Sequence, residues 1–128
     1  MSFVKNLGKY DLAKLLAARA ATAEPKEGHG GGSFRFMASD AMYVKDVPTN
    51  LAAASDILGQ ALVNLGVEGV AVSTSSNSDR YVPVGTDQAN AFFGSAVVFA
   101  RSNKIPSAAA LNEEILKIQR EQEKGIAG

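Results

Sequence analysis

"NLAAASDILGQALVNLGVEGVAVST", residues 50–74, changes from a helical to a strand periodicity within one stretch of sequence. Its first part repeats apolar residues at intervals of three and four, which predicts an amphipathic helix over residues 50–65. Gly66 follows at the position where a helix commonly ends on a left-handed residue. Residues 67–74 then alternate, with Val70 and Val72 on one face of a predicted strand. A helix joined this closely to a strand indicates a mixed domain.

Further strands are predicted on both sides of this helix. Residues 34–37 (FRFM) and 41–45 (AMYVK) alternate apolar and polar positions around a short polar turn, which predicts a hairpin. Residues 80–84 (RYVPV) return from the strand at 67–74 across a serine-rich turn. Pro83 has no amide hydrogen, so this returning strand is predicted at an edge of the sheet.

Helices are predicted over residues 11–22, 87–101 and 108–124, the last of them ended by Gly125. The helix at 87–101 is assigned from aromatic and small apolar residues that recur at helical spacing up to Ala100. The resulting prediction is an α+β fold, a compact β-β-α-β-β-α-α domain preceded by a helical N-terminal arm.

A glycine-rich stretch, residues 24–33 (EPKEGHGGGS), divides the chain. Pro25 ends the first helix, and the glycines that follow leave the backbone little restrained. We therefore expect a helical arm over residues 1–23, a linker over 24–33, and an α+β domain with a C-terminal helix over 34–128. The predicted hinge residues are Gly28, Gly30, Gly31 and Gly32.

The same stretch contains His29 within the word HGGG, which is also found in the oxyanion-hole loop of esterases. That chemistry requires a nucleophilic serine in G-x-S-x-G and a separate histidine base, and the sequence has neither. The phosphate-binding patterns G-x-x-x-x-G-K-[ST] and G-x-G-x-x-G are also absent. With one histidine, no cysteine and scattered carboxylates, no metal-ligand spacing exists. We predict no catalytic, cofactor-binding or metal-binding residue, and no cofactor.

Charge and hydropathy exclude some partners. Thirteen basic and thirteen acidic residues balance, so the chain has no overall field that would attract nucleic acid or an anionic membrane. No apolar run approaches the roughly 20 residues of a membrane-spanning helix. Residues 1–22 carry four basic residues and one acidic residue, which is typical of a solvated helix face. We expect protein partners and a cytoplasmic or virion location, without membrane or nucleic-acid binding.

An amphipathic arm, a glycine-rich linker and few catalytic residue types predict a non-enzymatic structural or assembly protein. The expected role is that of a small subunit in a homo-oligomeric particle such as a phage virion, where the arm grips neighbouring subunits. The neutral, cysteine-free composition, rich in Ala, Gly, Ser and Val, resembles small phage capsid-decoration or head proteins in a general way. No family motif carries this resemblance. The residues predicted to contact other subunits are Phe3, Leu7, Leu12, Leu15, Leu16, Leu111, Ile115 and Ile118.

Two other function classes remain open from the sequence. One is a small regulatory or ligand-binding α+β domain with a pocket near Ser73–Arg80, where serines cluster (STSSNSDR). The other is an enzyme with an unrecognised carboxylate or serine site. The mass of the protein in solution separates the assembly hypothesis from both, since a homo-oligomer cannot be strictly monomeric at high concentration.

Overall fold

The computed structural model describes residues 8–22, 34–38, 50–73, 81–86, 97–102 and 104–127. These residues form three helices and one four-stranded antiparallel sheet, so the predicted α+β class is confirmed. The helices are α1 (Lys9–Thr22), α2 (Leu51–Asn64) and α3 (Ala108–Ala127). The strands are β1 (Phe34–Met37), β2 (Ala71–Ser73), β3 (Tyr81–Pro83) and β4 (Val97–Ala100).

The strands lie in the order β1-β4-β2-β3, and each neighbouring pair is antiparallel. Because β1 and β2 both pair with β4, they run parallel to each other, with β4 inserted between them. Helix α2 lies in the chain between β1 and β2, which makes this unit a split β-α-β motif. Strand β3 is at an edge of the sheet, as Pro83 predicts.

One face of the sheet, called the inner face, packs against the helices. Its residues are paired across the strands, with Phe34 beside Ala100, and Val98 beside both Phe36 and Val72. These side chains are at most 6% exposed and share one hydrophobic core with all three helices. The largest fully buried side chains from the helices are Leu12, Leu16, Leu51, Leu58, Leu62, Leu111 and Ile115.

Residues 97–100 correct the helix predicted over 87–101. They form β4, which is hydrogen-bonded to β1 on one side and to β2 on the other. A short, continuous apolar run such as VVFA fits a buried strand and a buried helix equally well by periodicity, and its valines favour the strand. The predicted order β-β-α-β-β-α-α is therefore not confirmed. The predicted strand at 41–45 and the segment 87–96 lie outside the described residues.

Helix α1 lies in the core and is not confirmed as a separate arm. It contacts both α2 and α3, and its side chains Leu12, Ala13 and Leu16 are fully buried. Removing this apolar stripe from water stabilises the chain's own fold. Residues 24–33, with the predicted hinge glycines, lie outside the described residues, so the boundaries of arm, linker and domain stay predictions.

Two helix ends follow the capping rules that the sequence predicts, and the end of α3 does not. Gly66 has φ 87°, the left-handed conformation that the sequence predicts after α2. Ser107 caps α3, because its Oγ accepts a hydrogen bond from the backbone N–H of Ala110 at 3.2 Å. The prediction that Gly125 ends the last helix is wrong, since α3 continues to Ala127.

Candidate binding surface

The second face of the sheet, called the outer face, carries two rows of side chains. Directly paired residues of an antiparallel sheet point to the same side, and successive residues alternate between sides. The residues that are not on the inner face therefore share the outer face. Its rows are Arg35, Phe99, Ala71 and Pro83, and next to them Met37, Val97, Ser73 and Tyr81.

The outer face is only partly accessible. Val97 and Ser73 are fully buried, whereas Phe99, Ala71 and Tyr81 are half-buried and Pro83 is exposed. The accessible part therefore lies over β2, β3 and the end of β4, and it is mainly apolar. This part of the sheet is the candidate site.

A groove of about 360 Å³ occupies this accessible part and opens to solvent. The rings of Tyr81 and Phe99 lie diagonally across β2, with centroids 5.2 Å apart and planes at 48°. Tilted aromatic pairs at this distance attract each other, so the two rings support one another on the sheet. The groove is lined by Gly69, Val70, Ala71, Tyr81, Val82, Pro83, Phe99 and Arg101.

Arg101 brings a positive charge to the rim of the groove. Its backbone N–H donates a hydrogen bond to the carbonyl oxygen of Glu68 at 2.9 Å, which fixes the chain as it leaves β4. The aliphatic stem of Arg101 lies against Gly69, where a Cβ would overlap Cγ of the arginine. Gly69 also has φ 67°, a conformation that side chains rarely adopt. Among the described residues, no carboxylate forms an ion pair with Arg101.

A buried carboxylate on α2 holds the turn that follows β3. Asp56 is 1% exposed, and its Oδ1 accepts a hydrogen bond from the backbone N–H of Gly85 at 2.7 Å. Its Oδ2 accepts a second hydrogen bond from Nε2 of Gln60 at 2.8 Å. Burial raises the pKa of Asp56, and the two hydrogen bonds oppose part of that rise. The carboxylate thus links α2 to the strand that carries Tyr81.

Apolar packing reinforces the same link. Val84, in the turn after β3, lies against Gly59 of α2, where a Cβ would overlap its Cγ1. The hydroxyl of Thr86 donates to the carbonyl oxygen of Pro83 at 3.0 Å and closes the turn. Edge strand β3 is therefore fixed to the helical layer at its end, and the groove has a defined wall.

The structure places most of the predicted subunit-contact residues inside the chain's own core. Leu12, Leu16, Leu111 and Ile115 are fully buried, and Ile118 is 6% exposed. Leu15 is partly buried and packs against the same core, while Phe3 and Leu7 lie outside the described residues. Internal packing accounts for the apolar character of the described residues in this set. Their role in contacts between subunits stays a prediction.

In sequence, lining residues of the groove stand on both sides of Ser73–Arg80, the stretch that the ligand-binding alternative uses. Ser73 itself is fully buried, and residues 74–80 lie outside the described part of the chain. The groove instead uses residues that flank this stretch, among them Ala71 and Tyr81. Sequence reasoning assigned Tyr81 to an edge strand but did not bring it together with Phe99.

Sequence reasoning also missed Arg101 and Asp56. The sequence predicts Arg101 at the end of a helix, and only the strand assignment of β4 places it on the outer face. Asp56 had a usable signal, because it is the only charged residue in the largely apolar stretch 51–63. An isolated carboxylate among buried positions is rarely left without hydrogen-bond partners.

Two further observations concern metals and membranes. In the described segments, no three histidine, cysteine, aspartate or glutamate side chains lie close enough together to hold a metal ion. None of the three described helices combines the length and the apolar character that crossing a bilayer requires.

Comparison with known proteins finds no match to a protein-family model, to a curated protein or to a solved structure.

Proposed function

We propose that this chain is a non-enzymatic assembly protein, a small subunit of a homo-oligomeric particle, and that it binds its neighbours through the outer face of the sheet. The observation that carries the proposal is the solvent-open groove with Tyr81 and Phe99 in its wall and Arg101 at its rim. Tyrosine, phenylalanine and arginine are enriched at protein interfaces.

The proposal moves the contact surface away from α1. An apolar stripe that is already buried in its own chain has no free area to offer a neighbour, and Leu12 and Leu16 are in that state. The outer face differs, because the described helices pack on the inner face and leave Phe99 and Tyr81 half-buried. A patch on a hydrogen-bonded sheet is also preformed, which lowers the entropic cost of binding.

Within this class, the specific form we propose is a capsid-decoration or head component of a phage virion. Its support is compositional: a small, neutral, cysteine-free chain rich in alanine, glycine, serine and valine, with one histidine. In the described residues we identify no cluster of catalytic side chains around the groove.

Sedimentation velocity between about 5 and 500 µM tests the proposal on the full chain. We expect the wild-type protein to self-associate, and Phe99→Thr and Tyr81→Thr to raise the dissociation constant at least about fivefold, since a lost interface aromatic costs above about 1 kcal/mol. Threonine retains strand propensity, so the sheet is preserved. Val63→Thr is the matched control, because Val63 is 45% exposed on α2.

Two results would reject the proposal. The first is a wild-type protein that stays monomeric over the whole concentration range. The second is association that is unchanged in both groove variants while circular dichroism shows that they are folded.

The groove also favours a second candidate, a small ligand-binding domain. The volume of the groove, about 360 Å³, lies at the lower end of the range for small-molecule sites. Such sites are mainly apolar with a few polar groups. A monomeric wild-type protein that binds a small molecule saturably, and loses it in Phe99→Thr, would support this candidate over assembly.

A further inference from the structure

Two opposite charges stand side by side at the rim of the groove, where the chain leaves β4 and enters β2. Arg101 directly follows β4, and Glu68 lies three residues before β2. The backbone N–H of Arg101 donates to the carbonyl oxygen of Glu68 at 2.9 Å, so the two residues are neighbours. Both are exposed, and neither forms an ion pair with another described residue. The rim therefore offers a cation and an anion to a single partner.

Resting on the proposed function, we infer that two copies meet through their outer faces in a two-fold contact, with Arg101 of each copy paired with Glu68 of the other. In a two-fold interface the same patch of both copies meets, so the patch must be complementary to itself. A rim with one sign of charge would repel its copy. This rim carries both signs, and opposite charges that meet across an interface align and stabilise it.

The register of the sheet then gives the position of the two-fold axis. Arg101 belongs to the β4 side of the rim and Glu68 to the β2 side, so the axis lies in the interface, parallel to the strands and between β2 and β4. It places β4 of each copy over β2 of the other. Because Phe99 and Ala71 are directly paired within one copy, each Phe99 ring lies over the small side chain of Ala71 in the other. Two sheets that pack face to face in this way keep their strands nearly aligned.

Gly69 prepares Arg101 for this contact. It directly follows Glu68, and the missing side chain leaves space for the stem of Arg101, whose Cβ, Cγ and Cδ would all lie closer than 3.0 Å to a Cβ at this position. The stem is therefore packed along the end of the groove before a second copy binds. A side chain that is already ordered loses less conformational entropy on association.

Charge reversal, measured by sedimentation velocity on the full chain, tests the pairing. We expect Arg101→Glu and Glu68→Arg each to weaken self-association at least about tenfold, because every dimer then contains two contacts between like charges. The double variant Arg101→Glu/Glu68→Arg carries both exchanged charges in one chain, and we expect it to regain association close to that of the wild-type protein. Arg120→Glu and Glu121→Arg are the matched controls, since both residues are exposed on α3, in the helical layer of the inner face.

A 1:1 mixture of the two single variants tests the symmetry. In a mixed dimer both contacts join opposite charges, so we expect mixed dimers to replace either homodimer. The smallest assembled species of the wild-type protein should be a dimer of the 13.3 kDa chain. Arg101→Gln guards against a folding defect, because it removes the charge and keeps most of the stem that packs on Gly69. We expect it to weaken association less than Arg101→Glu does.

Three results overturn the two-fold contact: association that is unchanged in both single variants, a folded double variant that fails to regain association, and a smallest assembled species other than a dimer. Circular dichroism shows whether each variant is folded. The Phe99→Thr result then still decides the proposed function separately. A monomeric wild-type protein, as expected if a small molecule or a segment of the same chain fills the groove, overturns both proposals.

Discussion

The two faces of the sheet are both apolar but differ in what covers them. On the inner face, Phe34, Val72 and Val98 are fully buried in a core that they share with three helices of the same chain. On the outer face, Phe99 and Tyr81 remain half-buried beside an open groove. The inner face therefore accounts for the stability of the chain, while the outer face retains apolar area that folding has not used. Sequence hydrophobicity alone does not distinguish these two roles.

The largest effect on stability is expected from a substitution in α1, which packs in the core on the inner face. Leu16→Ala in α1 removes a fully buried side chain and leaves a cavity, so we expect the free energy of unfolding to fall by about 2–5 kcal/mol. Urea denaturation at low micromolar protein concentration measures this fall in the free energy of unfolding. Leu116→Ala is the control, because Leu116 is 37% exposed, and its cost should stay below about 1 kcal/mol. Equal effects of the two substitutions would show that α1 is not part of the core.

The second-largest effect on stability is expected from a substitution in the contact between α2 and the turn after β3. Gly59→Ala would place a Cβ against Cγ1 of Val84, and overpacking of this kind costs about 1–3 kcal/mol despite the better helix propensity of alanine. Gly8→Ala is the control, since a Cβ at Gly8 meets no atom within 4 Å. A gain of stability in Gly59→Ala would show that β3 is free to move away from α2.

A pH series tests Asp56, the carboxylate that links α2 to the turn after β3. Because burial raises the pKa of Asp56, the folded state keeps its proton to higher pH than the unfolded chain does. The preferential protonation of folded Asp56 stabilises the fold. This stabilisation is fully present below about pH 4, the ordinary pKa range of aspartate, and is lost as the pH rises through the pKa of the folded state. Asn cannot titrate, so Asp56→Asn should remove this part of the pH dependence.

The measurement is the difference in unfolding free energy between the wild-type protein and Asp56→Asn from pH 3.5 to 8, where we expect a steady drift in favour of the variant. Asp11→Asn is the control, because Asp11 lies on the surface with a side chain 65% exposed. A flat difference for Asp56→Asn, or a drift in the opposite direction, would contradict the burial that the structure gives this residue.

The smallest effect on stability is expected at Ser55, the residue before Asp56. Ser55 is as buried as Asp56, but among the described residues its hydroxyl has no hydrogen-bond partner. Ser55→Ala removes an unsatisfied polar group and improves helix propensity, so the stability should be unchanged or up to about 1 kcal/mol higher by thermal and urea unfolding. A clear loss would mean that the hydroxyl bonds to the carbonyl of the preceding helical turn.

Much of the fold could be predicted because its helices are amphipathic. Leu51, Leu58 and Leu62 repeat at helical spacing, and so do Leu111, Ile115 and Ile118, and both sets are buried in the structure. Strand β4 could not be recognised in the same way. Its four residues are apolar on both faces of a central strand, so they show no alternation, and the phenylalanines and alanines before it extend a helical pattern.

The candidate site was missed for reasons of the same kind. Phe99 reaches Tyr81 only because β2 pairs with both β3 and β4, and such pairing between distant segments leaves no mark on local sequence. The status of α1 could not be decided from the sequence either, because glycines after a helix are compatible with a free arm and with a chain that folds back. Long-range packing decides between these two cases, and it cannot be predicted from local composition.

The central position of β4 has a consequence for the order in which the chain can fold. Strands β1 and β2 are made first during synthesis, yet they lie two strand spacings apart, about 9.5 Å, and have no hydrogen bonds to each other. Until residues 97–100 emerge from the ribosome, a nascent chain has a sheet with its middle missing. Closing that gap joins segments more than sixty residues apart at Phe34 and Ala100, so formation of the sheet should be slow and should occur late.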